Sequence, residues 1–242
     1  MSPVDRVAHT NRWRKRSLLE KAALALGMLM LAVALPPFPA APVVVVVMVA
    51  ASLLGARLPF RLWLSCALAP AGFLLVGAFS LAFQWDGGGL SMAPGGLHLA
   101  AGLAARSMAG VCCLLFLALT TPTSDMLNGL RRIGLPPELA EIALLMYRFL
   151  FLLAETAAAM DAAQAARLGH VGMKRRLRSL GLLVANLLPR ALDRARRLEC
   201  GLAARGWNGE LRVLSTKVAP SPLALTVIAA LEGGVLLLGI LS

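Results

Sequence analysis

"PPFPAAPVVVVVMVAASLL", residues 36–54, decides what kind of protein this is. Five successive valines favour an extended strand in water. A lone strand in hydrocarbon would leave its backbone N–H and C=O groups without partners, so in a bilayer the same run has to be helical. The rest of the chain says which solvent applies. Of 242 residues, 59% are hydrophobic, and the mean hydropathy is +0.77. Apolar segments approaching the ~20 residues that cross ~30 Å of hydrocarbon fall at Leu18–Leu35, Phe38–Leu54, Leu62–Phe83, Leu97–Thr121 and Leu223–Leu241. Leu139–Ala159 is a sixth and ambiguous one. The first segment follows a basic N-terminus without a convincing small-residue cleavage site, and reads as an uncleaved span. The expected fold class is therefore an all-α integral membrane protein with about five transmembrane helices.

Lysine and arginine then orient it. Six precede the first span (Arg6, Arg12, Arg14, Lys15, Arg16, Lys21), none lies in "PPFPAAP", two follow at Arg57 and Arg61, and none lies in "QWDGGGLSMAPGG". By the positive-inside rule the N-terminus is cytoplasmic, and so is the loop with Arg131 and Arg132. The block from Asp161 to Ala219 carries twelve more, and belongs on the same side. A full crossing by 139–159 would export it, so that segment is expected to enter or skirt the membrane instead. The chain divides accordingly into 1–121 with four spans, a cytoplasmic helical region 122–219, and a last span 220–242.

Within the cytoplasmic block one ending occurs twice. Ala191, Ala195, Leu198 and Leu202 recur at helical spacing, Asp193 and Arg197 form an i,i+4 surface pair, and Gly206 follows as a helix-ending residue with "WNG" turning beyond it. Earlier, an alanine-rich segment from Met160 ends at Gly169. Arg205 and Arg167 thus both fall in a last turn. Between them lie a basic cluster (Lys174, Arg175, Arg176, Arg178) and "LGLLVANLLP", expected to run along the membrane face and to be closed by Pro189. A cation at a helix C-terminus gains ~0.3–1 kcal/mol from the dipole alone. Small neighbours on both arginines add another use: they leave a long guanidinium clear to pair bidentately with a carboxylate on a partner.

The stretches "LALTTPTSDMLNGLRRIGLPPELAEIALLMYRFLFLLAE" (Leu117–Glu155), "AQAARLG" (Ala163–Gly169) and "RALDRARRLECGLAARGWNGELRVL" (Arg190–Leu214) resemble the CbiQ family, the transmembrane T component of cobalt-type energy-coupling factor (ECF) transporters. The resemblance is strong in the second half and general in the first four spans. It implies a non-catalytic, multi-pass subunit of the bacterial inner membrane. Its partners would be two ABC-type, CbiO-like ATPase subunits and a CbiM-like substrate-binding membrane subunit, with a small accessory membrane subunit as an option. ATP and Mg would be bound by the ATPases, and this chain would hold no cofactor. The coupling residues implied are Ala166, Arg167 and Leu168, then Ala204, Arg205 and Gly206. Leu168 departs from the family pattern, which favours a small residue there.

Two charges stand inside spans, Arg106 and Glu232, and intramembrane charges are expensive enough to be paired or functional. Counting ~1.5 Å per residue puts both at similar depth, so a structural ion pair is the expectation. Arg148 reads as an interface arginine. His9, His98 and His170 are scattered, with no carboxylate or second histidine placed to complete a site, so no metal ligand is assigned. Cys66, Cys112, Cys113 and Cys200 lack metal-ligand spacing, and no disulfide is expected. The excess of 24 basic over 12 acidic residues reports topology rather than nucleic acid, and the bilayer is the expected partner surface. No Gly-x-x-x-x-Gly-Lys-Ser/Thr occurs, so any ATPase is another chain. The other function classes are a stand-alone secondary cation carrier, which would need polar or broken spans, and a lipid-acting enzyme, which would need a catalytic cluster. The same subunit serving nickel or a vitamin is the alternative within the first class.

Overall fold

The computed structural model describes residues 3–86, 89–92, 95–206 and 219–241. After α1 (Pro3–Thr10) and a short 3-10 turn at Arg12–Lys15 come α2 (Leu18–Ala34), α3 (Pro37–Ala50) and α4 (Phe60–Ala82). A two-stranded antiparallel hairpin, β1 (Phe83–Asp86) and β2 (Gly89–Met92), leads to α5 (Gly96–Thr120), α6 (Thr123–Arg132), α7 (Pro137–Ala166), α8 (Met173–Ala203) and α9 (Pro222–Leu241). The chain forms two compact units, one of residues 1–129 and 216–242, the other of residues 130–215.

The valine run is helical. Ala40, Ala41, Val44 and Met48 are buried while Val46 is exposed, so one face is selected at helical spacing although every position is apolar. The helix ends in a π-turn at Ala51–Gly55. There Ser52 donates its hydroxyl to the Met48 carbonyl at 2.7 Å and the Ala56 N–H reaches the Ala51 carbonyl, the back-bonding that bends a helix.

In the first unit α5 packs against α1, α2, α3 and α4, while α9 packs on α2 and α3. Two buried or half-buried cations tie α2 to α5. Lys21, at the start of α2 and 1% exposed, donates to the Thr120 carbonyl at the end of α5 at 3.0 Å. Arg106, ten residues into α5, donates Nη2–H to the Leu35 carbonyl at the end of α2 at 2.6 Å. Each helix therefore caps the orphan carbonyls of its antiparallel neighbour, where the dipole favours positive charge. Asn11 adds its amide to the Leu119 and Thr120 carbonyls. Ser17 accepts the Glu20 N–H in the spacing of a capping box. The Glu20 carboxylate, however, accepts the Ser221 N–H at 2.7 Å, which fastens the start of α2 to the entry of α9. Cys112 and Cys113 are buried on α5 as small core residues.

Five helices are long and apolar enough to cross a membrane: Pro37–Gly55, Phe60–Ala82, Gly96–Thr120, Glu138–Ala166 and Pro222–Leu241. This makes an all-α integral membrane protein, but the set differs from the expected one. α2 has 17 residues, ~26 Å of helix, and buries Leu24, Met28 and Ala32 in the bundle. Glu138–Ala166 qualifies by length and composition, yet none of its apolar window is buried within the chain. It continues as one 30-residue helix that packs with α8.

α8 also corrects the sequence reading. It runs unbroken for 31 residues with Pro189 inside it, so Pro189 closes nothing and the basic segment Arg190–Arg205 is no separate helix. Proline deprives the Ala185 carbonyl of its helical partner, a cost of ~3 kcal/mol. The good helix formers on both sides carry the helix through.

Candidate functional site

The two repeated endings are the same turn. At the end of α7 the Arg167 N–H donates to the Gln164 carbonyl at 3.1 Å and the Leu168 N–H to the Ala165 carbonyl at 3.0 Å. At the end of α8 the Arg205 N–H donates to Leu202 at 3.0 Å and the Gly206 N–H to Ala203 at 3.1 Å. The residue after each arginine is left-handed, with φ 56° at Leu168 and 70° at Gly206. In the first turn the Gly169 N–H returns to the Gln164 carbonyl at 2.9 Å, which completes a Schellman motif. The corresponding residue of the second, Trp207, and the rest of the expected "WNG" turn lie outside the described residues.

Leu168 thus performs the backbone task of Gly206, at the steric cost of ~1–2 kcal/mol that a Cβ meets in this region. Packing repays part of it. Ser179 of α8 donates to the Gly169 carbonyl at 3.1 Å, and a Cβ at Gly169 would lie 2.8 Å from the Gln164 carbonyl oxygen. His170 Nε2 also stands 3.1 Å from Asp161 Oδ1, spanning the turn. The leucine side chain itself remains 65% exposed.

Ala166, Arg167, Ala204, Arg205 and Gly206 are all exposed. Neither guanidinium forms an ion pair among the described residues, so both are free to engage something else. The α7–α8 hairpin is antiparallel. Arg148 shares a cleft of about 260 Å³ with Arg194 and Arg197, Thr156 lies near Arg190, and Gly169 meets Ser179. Arg167 is therefore at the hairpin's closed end and Arg205 at its open end. The helical rise of ~1.5 Å per residue from Ser179 to Arg205 puts them ~39 Å apart.

Other expected pairings fare differently. Asp193 and Arg197 line one cleft, but no ion pair joins them. Nor are Arg106 and Glu232 paired. Arg106 is spent on Leu35, with its Nε buried and unpartnered, and the Glu232 carboxyl lies against Gly27 of α2 with Oε1 buried and unpartnered. They are not neighbours because they do not share a depth: Arg106 is held at Leu35 and Glu232 at Gly27, eight residues or ~12 Å apart along α2. Two of the three histidines have a carboxylate neighbour after all, His9 with Asp5 at 3.6 Å and His170 with Asp161. The sequence reading also passed over Lys21, Asn11 and Glu20, although the Ser-Leu-Leu-Glu spacing at 17–20 signalled a helix start.

The family described as "Cobalt transport protein", CbiQ, matches residues 10–216. The cobalt transport protein CbiQ of Rhodobacter capsulatus is 55% identical over 241 residues, spanning 100% of this chain and 99% of that protein. The protein of the same name from Salmonella typhimurium is 29% identical over 228 residues, 88% of this chain and all of that one. A putative fused cobalt transport protein CbiMQ of Methanocorpusculum labreanum is 27% identical over 219 residues, 85% of this chain but 36% of the longer fusion.

Proposed function

The chain belongs to the CbiQ family of cobalt transport proteins, and from that membership and the twin helix endings we propose that it is the energy-coupling subunit of an ATP-driven, ECF-type cobalt importer. Arg167 and Arg205 are its handles, each docking in a groove of a separate ABC-type ATPase subunit and pairing there with carboxylate. Ala166, Ala204 and Gly206 keep the approach clear, and Leu168 sets the same turn as Gly206.

The observation that carries this reading is the repetition of one turn at two exposed positions ~39 Å apart on a single hairpin. A round partner surface of ~800 Å² per side is ~32 Å across, so the spacing favours two partner subunits, one at each arginine. ATP and Mg belong to those subunits, since this sequence has no phosphate-binding loop. The fused relative, whose name joins CbiM to CbiQ in one polypeptide, supports a CbiM-like membrane subunit as the neighbour that binds cobalt. Positive residues place the arginine-bearing hairpin on the cytoplasmic side, where ATPases work.

The test is co-expression with ABC-type ATPase and CbiM-like subunits, followed by purification in mild detergent and uptake of labelled cobalt into vesicles. Co-purification of all three and uptake that stops when ATP hydrolysis is blocked are the expected results. ATP-independent accumulation by vesicles holding this chain alone would instead make it a secondary carrier.

A further inference from the structure

The membrane unit holds a groove that neither the coupling turns nor the bundle ties use. α2 and α9 approach closely at mid-span, where Gly27 admits the Glu232 carboxyl, and again where a Cβ on Gly239 would come within 2.6 Å of Leu35. Toward their Leu18 and Pro222 ends they are joined by Glu20 accepting the Ser221 N–H, and beside that tie the two helices stand apart. Side chains including Val47, Ala224, Val227 and Leu231 leave a groove of about 680 Å³ between α2, α3 and α9, within the ~300–1,000 Å³ of ligand clefts.

Its walls are apolar from Leu223 to Leu231, ~12 Å of helix, and its mouth carries Trp13, Lys15, Arg16 and Glu20. Glu20, the carboxylate at the mouth, is already engaged, accepting the Ser221 N–H and lying 3.6 Å from Arg16. Arg16 stacks on Trp13 at 4.8 Å from the ring centroid, so its guanidinium is held at the rim. Lys15 is exposed, with no ion pair among the described residues. The mouth therefore presents positive charge beside an apolar slot, at the end of the bundle where basic residues mark the cytoplasmic leaflet.

Chemistry selects the occupant. An apolar slot ~12 Å long below a cationic rim suits acyl chains beneath a charged headgroup. A zwitterionic headgroup would bring a cation of its own against Lys15 and Arg16, whereas an anionic one meets complementary charge. We propose that this groove binds an anionic phospholipid of the cytoplasmic leaflet, its phosphate at Lys15 and Arg16 and its acyl chains along α9.

Native mass spectrometry of the delipidated full chain, offered equimolar phosphatidylglycerol and phosphatidylcholine, tests this directly. The expected result is about a tenfold preference for phosphatidylglycerol. The double variant Lys15→Gln/Arg16→Gln, altered only at exposed positions, should hold the two lipids within about twofold of each other, and Ala224→Phe should lower retention of both by filling the slot. The same preference is expected from the assembly purified with its partner subunits. Equal retention by the unaltered chain, a preference that survives in the double variant, or loss of the lipid in the assembly would overturn the proposal, the last by assigning the groove to a partner protein.

Discussion

Charge reversal of the two handles, Arg167→Glu and Arg205→Glu, gives the most discriminating test of the coupling reading. In the free chain both side chains are exposed and unpaired, so reversal forfeits only the ~0.3–1 kcal/mol of interaction with each helix end, and the chain should denature within a degree or two of the unaltered one. Docked against carboxylate the same change buries an uncompensated charge, a loss of ~3–5 kcal/mol, or roughly 100- to 5,000-fold in affinity at ~1.4 kcal/mol per tenfold. The ~39 Å between the arginines is well beyond the ~7–10 Å at which substitutions stop influencing each other. The two sites should therefore act independently: each single variant should lose one of two bound ATPase subunits, and the double variant should bind none at micromolar concentration. The assay is titration of the ATPase onto immobilised, detergent-solubilised chain, with thermal denaturation of the chain alone as the control. A single variant that still binds two ATPase subunits, both with affinity within twofold of the unaltered chain, would refute the reasoning. So would a double variant no weaker than the worse single, since that would mean one shared site.

The bundle and the turns yield two further expectations. Arg106→Met should destabilise the membrane unit by ~1.5–3 kcal/mol through loss of a charged hydrogen bond, measured by denaturation in mixed micelles. Combined with Glu232→Gln it should show a coupling below ~0.5 kcal/mol, whereas a larger coupling would reinstate the ion pair. Leu168→Gly should relieve up to ~1–2 kcal/mol of left-handed strain, and Gly206→Leu should introduce a similar cost. Amide hydrogen exchange at the last turns of α7 and α8 reads both, and equal exchange in all three proteins would contradict the assignment of the two turns as equivalents.

Hydropathy located most of the helices because solvent selects them more strongly than propensity does, as the Val43–Val47 run illustrates. The same quantity could not place α7. An apolar helix that faces partner proteins and one that faces lipid have the same composition. The two turns at Arg167 and Arg205 were legible because a helix ending is written locally, in the small residues before each arginine and in Gly206. Leu168 was harder to read. Its left-handed backbone is imposed by hydrogen bonds to Gln164 and Ala165 and by the contact of Gly169 with Ser179, none of which a residue type announces. Arg106 and Glu232 failed for a different reason. Counting along a span assumes that every span starts at one level, whereas here Arg106 stands level with Leu35 and Glu232 with Gly27, at different heights on α2. Pro189 was overread as punctuation because proline ends helices on average, while a long helix with strong formers on both sides tolerates it.

Lys21 and Arg106 reach in opposite directions along the same two helices, and this fixes their axial register. Sliding α2 past α5 by one turn, ~5.4 Å, would snap both contacts together and strand an ammonium group in the interior, so shear between these helices is closed. α9 has no such clasp near mid-span, where it meets α2 through a glycine and a carboxyl group. Within the coupling reading proposed above, α2 and α5 would move as one stiff keel, and any compliance would lie around that pair rather than within it.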